Sequence, residues 1–142
     1  MRALRTVPVV VLALMTMINL ARGSVHAFAA DGGAHSIAGL DLASGGQTIL
    51  SLFAVLGLHQ IALGLLELYV LARRRDLVAL VLGYQLLQTV AGVANLYLYR
   101  TLPVPVPGAP FNAVLLVVIA VAFVMALLPG SQRATATSPG VS

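Results

Sequence analysis

Cysteine, tryptophan and lysine are all missing from this 142-residue chain. Without cysteine there is no disulfide, no thiolate metal site and no cysteine nucleophile, although the compartment is not fixed by that absence. Charge is also scarce. Only 8% of residues are charged, against roughly 25% in soluble domains, so the chain could not cover its own surface in water. The acids are four: Asp31, Asp41, Glu67 and Asp76. The bases are eight arginines, most of them beside apolar segments. The pI near 10.4 therefore reads as membrane orientation and not as nucleic-acid binding. No basic stripe with interleaved aromatics supports a nucleic-acid partner. No glycine-rich phosphate loop, HExxH or GxSxG is present.

What the chain has in plenty is apolar residues, 60% of the total, with a mean hydropathy of +1.01. They fall into separate runs, and the length suits one domain. The expectation is an all-α, integral-membrane four-helix bundle over residues 1–130, with helices at about 6–22, 47–72, 77–99 and 111–128. Residues 131–142 read as a polar, disordered tail. Val7 to Leu20 has two readings. A basic start, an apolar run and the small-residue site Ala27-Phe28-Ala29 describe a cleaved secretory signal, leaving three helices. The alternative is a retained first helix, extended to Phe28 with Arg22 snorkelling to the interface.

Between the first two runs, Gly32-Gly33 and Gly45-Gly46 read as breaks, with a short interfacial helix expected over His35 to Ala43. Pro103, Pro105, Pro107 and Pro110 predict a non-helical, polyproline-like linker over residues 101–110. With the N-terminus inside, six arginines lie inside and only Arg22 and Arg100 outside. That is the positive-inside pattern, and it puts both termini in the cytoplasm.

The second and third runs flank the tight turn Arg73-Arg74-Arg75-Asp76, and this predicts antiparallel neighbours. Each carries a stripe at offsets 0, 3, 7 and 10: Gly57, Gln60, Gly64 and Glu67 on one, and Gln85, Gln88, Gly92 and Asn95 on the other. Such a spacing is one helix face. Folding the pair about its turn sets Gln60 level with Gln88, His59 level with Thr89, and Glu67 within a turn of Tyr84 and Gln85. The glycines Gly57, Gly64 and Gly92 are then helix-packing positions. Gln60, Gln85, Gln88 and Asn95 form a polar or ligand-binding cluster. The partial recurrence of Gln60-x3-Gly64-x3-Leu68-Tyr69 as Gln88-x3-Gly92-x3-Leu96-Tyr97 has two readings, a small inverted repeat or the ordinary recurrence of small and polar residues at helix interfaces.

Two side chains could carry chemistry. Glu67 is a carboxyl in an apolar helix, expensive unless protonated, paired or facing water. It lies roughly 9 Å along the helix from Arg73, so pairing with the arginine turn competes with burial. His59 lies roughly 200° round the helix from Gly57 and reads as a packing residue or as a proton carrier or base. His26, Asp31, His35 and Asp41 match no metal-ligand spacing, so no metal and no cofactor are expected.

The run Phe53-x3-Gly57-Leu58-x-Gln60-x2-Leu63-Gly64-x6-Leu71-x-Arg73-x-Arg75-x-Leu77 resembles a group of small bacterial four-helix membrane proteins of unknown function. These are loosely similar to the DoxX-like proteins in size and helix count. The resemblance implies four helices in a bacterial inner membrane and supplies no activity or catalytic residue. Three functions stay open. One is a non-enzymatic accessory or assembly subunit. The second is a small proton-coupled transporter using Glu67, oligomeric because four helices enclose little space. The third is an intramembrane enzyme acting on an apolar small molecule, with Glu67 or His59 as acid or base. The partners expected are the lipid bilayer, a second copy of the chain, or an apolar small molecule.

Overall fold

The computed structural model describes residues 2–100, 107 and 109–128. Among these the chain is all-helical, and four helices are long and apolar enough to cross a membrane. They are α1 (Arg2–Phe28), α2 (Gly46–Arg73), α3 (Val78–Ala94) and α4 (Ala109–Leu127). Hydroxyls inside them return their protons to their own helix: Thr16 to the Leu12 carbonyl at 2.9 Å, Ser51 to Gln47 at 2.9 Å and Thr89 to Gln85 at 2.8 Å. That satisfies them where no water is at hand.

Each helix begins and ends for a local reason. Gly45 takes φ 72° just before α2, a left-handed conformation that glycine adopts at little cost. At the far end the Arg74 amide closes on the Val70 carbonyl at 2.9 Å and the Arg75 Nε caps the Leu71 carbonyl at 3.0 Å. Arg74 turns outward and pairs with Asp76 through Nε and Nη2 at 3.0 and 2.9 Å. A single 3-10 turn, Arg75–Leu77, then leads into α3. At its other end α3 widens into a π-helical turn, Asn95–Tyr99, with the Arg100 amide reaching back to the Asn95 carbonyl at 2.7 Å.

Two expectations change here. The segment after α1 forms a series of turns and not a helix over His35 to Ala43. Gly32, Gly33 and Gly39 all have positive φ, and the Asp31 carboxylate takes the amides of Gly33 and Ser36 at 2.9 and 2.7 Å. An aspartate that bonds the backbone just ahead of it holds a turn. Those two amides, Gly33 first, hold the Asp31 carboxyl well below its ordinary range, at about 2. Second, Ala109 and Pro110 already belong to α4, because proline fits the first turn of a helix, where its missing N–H costs nothing. The rest of the proline-rich stretch, apart from Pro107, and the 131–142 tail lie outside the described residues.

The helices do not pair as the short turn suggests. α1 is central: it packs closely along α2 and also touches α4 and α3, while α3 packs on α4. The backbones of α2 and α3 stand apart, and long polar side chains bridge them. The apolar core fills the half of the bundle nearest the arginine turn. Leu12 and Met15 of α1, Val70 of α2, Leu82 of α3, and Ile119 and Ala122 of α4 meet there. Outward stand Leu52, Val55, Leu65, Leu80, Leu87 and Val117, each more than half exposed, as a lipid-facing surface requires.

Candidate functional site: a polar seam between helices

The closest helix contact is made by glycine. A Cβ on Gly57 would stand 2.5 Å from the Ala27 amide nitrogen and 2.6 Å from the Gly23 carbonyl oxygen. One on Gly23 would stand 2.8 Å from the Gly57 carbonyl oxygen, and one on Gly64 would stand 2.8 Å from the Leu20 side chain. Backbones come this near only where side chains are missing, which is how helices associate where lipid is as apolar as leucine. So Gly57 and Gly64 are packing positions, but their partner is α1 and not α3. Gly92 is not one among the described residues, since a Cβ there meets none of them within 4 Å.

Close approach of α1 carries its polar residues onto the polar face of α2. Glu67 has 0% of its surface exposed. The Asn19 Nδ2 of α1 donates to both carboxyl oxygens at 3.1 Å. Gln85 of α3 donates through Nε2 to Glu67 Oε1. The carboxyl is thus held by amides from two other helices and by no arginine, since Arg74 is engaged with Asp76. Burial, and not the arginine turn, decides its environment. Expressed as chemistry, this is an acceptor filled by fixed donors, with no open face for a substrate.

Higher on the same interface, Gln60 faces α1 beside Gly23, and its Oε1 is buried with no hydrogen-bond partner. It does not meet Gln88. Gln88 of α3 instead donates through Nε2 to His59 Nε2 at 3.1 Å, on the exposed side of α2. With that nitrogen accepting, the His59 proton sits on Nδ1. The fold therefore separates the four residues of the predicted polar cluster. Gln60 goes with α1, Gln85 joins Glu67, Gln88 joins His59, and the Asn95 amide is exposed with no partner among the described residues. Glu67 and His59 do not come together. The likeness between the two stripes is not an equivalence in three dimensions, because Gly64 is enclosed and Gly92 is open.

At the loop end of the seam His26 is buried and both its nitrogens are engaged. Nδ1 donates to the Gly32 carbonyl at 2.6 Å, and Nε2 accepts from Arg22 Nε at 3.4 Å. Phe53 of α2 packs against the ring edge to face, with centroids 5.2 Å apart. His26 is a clasp between helix and loop. Among the described residues no three metal-ligating side chains gather.

The sequence reading weighs His26 only as a metal ligand and does not join it with Thr16, Asn19 and Gly23, yet the four carry a signal. They repeat the offsets 0, 3, 7 and 10 of the α2 stripe. In the antiparallel pair Asn19 reaches Glu67, Gly23 falls opposite Gln60 and His26 opposite Gly57. No protein family, curated protein or solved structure matches this chain.

Proposed function

We propose that this chain is a non-enzymatic accessory or assembly subunit of a bacterial cytoplasmic membrane, with both termini inside. The supporting observation is the enclosure of Glu67. The one carboxyl at hydrocarbon depth is occupied on both oxygens by Asn19 and Gln85 and exposes no surface. An acid catalyst needs contact with substrate, and a proton carrier needs access to water on at least one side. Here the carboxyl joins α1, α2 and α3 into one body. Six arginines on one side of the spans against two on the other support the orientation. The resemblance to small bacterial four-helix membrane proteins supports the setting.

The test is purification of the tagged protein from its native membrane in mild detergent, comparing wild type with Glu67→Gln. A structural carboxyl predicts that the variant keeps the same co-purifying membrane proteins in the same proportion. A glutamine keeps one acceptor oxygen, at the position that both Asn19 and Gln85 reach, and gives up the second. Loss of a proton-coupled transport activity, or of turnover of an apolar substrate, in a well-folded Glu67→Gln protein would contradict the proposal.

A further inference from the structure

One face of α3, continued into the Asn95–Tyr99 turn, has polar side-chain groups within the Arg75–Tyr99 span that no described residue satisfies. Gln88, near the middle of the Arg75–Tyr99 span, uses its Nε2 on His59 and leaves Oε1 free. His59 Nδ1–H points away from that bond with no partner among the described residues. Asn95, seven residues on from Gln88 at the start of the π-helical turn, has its backbone groups bonded, but its side-chain amide has no partner among the described residues. Between them, Gly92 is exposed and opens onto empty space. Lipid tails offer no hydrogen bonds, so each unmet group costs free energy until another polar surface covers it.

We propose that the cover is a second copy of this chain, docked through Gln88 and Gly92 of α3 and Asn95 at the start of the turn that follows it. Copies that insert with the same orientation are related by a two-fold axis along the membrane normal. Two α3 helices then cross in parallel, and identical residues meet at identical depth. Gln88 faces Gln88, Gly92 faces Gly92 and Asn95 faces Asn95. Amides suit this arrangement because each carries both a donor and an acceptor and so pairs with its own kind, which a carboxylate or an arginine cannot do. Gly92 at the crossing lets the backbones approach, as Gly23 and Gly57 do inside the chain. This names the first partner of the assembly reading and rests on it.

The chain has no cysteine, so Gly92→Cys introduces a single thiol where a Cβ meets no described residue within 4 Å. In native membranes under mild oxidant, the two-fold pair predicts conversion to a species of twice the mass. Val90→Cys, also exposed but about 200° round the helix, stays monomeric. Gly92→Leu, purified in mild detergent, keeps its helical content and loses the dimer in native mass spectrometry. Equal cross-linking of the two cysteine variants, or a dimer unchanged by Gly92→Leu, overturns the proposal. Cross-linking of Gly92→Cys only to a protein of another mass also overturns it, while leaving the assembly reading in place. Loss of transport in Glu67→Gln would remove that reading without touching the cross-link.

Discussion

Asn19 donates to both carboxyl oxygens of Glu67 at 3.1 Å, from a residue 48 positions away in the chain. Through this contact and the Gln85 bond, the first helix is tied to the second and the second to the third.

The glycine contact sets the distance at which that bond can form. Gly57→Leu should disrupt the fold, because any side chain there collides with the Ala27 amide and the Gly23 carbonyl. Overpacking that side chains can absorb costs about 1–3 kcal/mol, and a clash with backbone costs more. Gly64→Leu, whose neighbour is the Leu20 side chain, should be milder. Thermal unfolding in detergent followed by circular dichroism checks the order: wild type highest, then Gly64→Leu, then Gly57→Leu.

Residues 2–28 contribute Asn19, Gly23 and His26 to the interior. Intact-mass measurement of protein purified from its native membrane should therefore find this segment present. A mature chain beginning at Ala30 would deprive Glu67 of Asn19 and leave Gly57 and Gly64 uncovered, and would contradict the packing described here.

The loop after α1 hangs on two side chains, His26 and Asp31. His26→Ala removes the donor to the Gly32 carbonyl and the ring beside Phe53. Limited proteolysis should then cut within residues 30–45 faster than in wild type while the helical content holds. An unchanged cleavage rate would show that the clasp is not what orders the loop.

Asp31 gives the loop a pH dependence of known sign. Its carboxyl is lowered from 3.8 to about 2 by the Gly33 and Ser36 amides. A depressed folded value means that the stabilisation is present above the ordinary value and is lost as pH falls through the folded one. Hydrogen exchange at Gly33 and Ser36 should stay slow down to about pH 4 and quicken as pH falls from 3.8 toward 2. In Asp31→Asn that step should be absent.

The four spans were legible because apolar length is a strong signal, and the α2 stripe was legible as a packing face. Its partner was not. A turn as short as Arg74–Leu77 fixes only where α2 and α3 start, and it says nothing of which helix lies against the Gly57–Gly64 face. Glycine decides that, since backbones approach closest where both helices lack side chains. Gly23 stood in a segment that also reads as a signal peptide, so its stripe went unweighed. Gly92 misleads for the opposite reason: its neighbours on the stripe are polar, but a Cβ there meets no described residue within 4 Å. The depth reading held better, since Glu67 does reach Gln85.

The central claim is that Glu67 serves as a joint between helices, and a double-mutant cycle on Asn19 and Glu67 tests it most directly. Asn19→Ala, Glu67→Ala and the double variant would be unfolded in the same detergent. A buried group left without its partner costs about 1–3 kcal/mol, so each single change should destabilise by that order. The second change should then add little, giving a coupling of about 1 kcal/mol or more. Effects that add within about 0.5 kcal/mol, as independent sites do, would contradict the account.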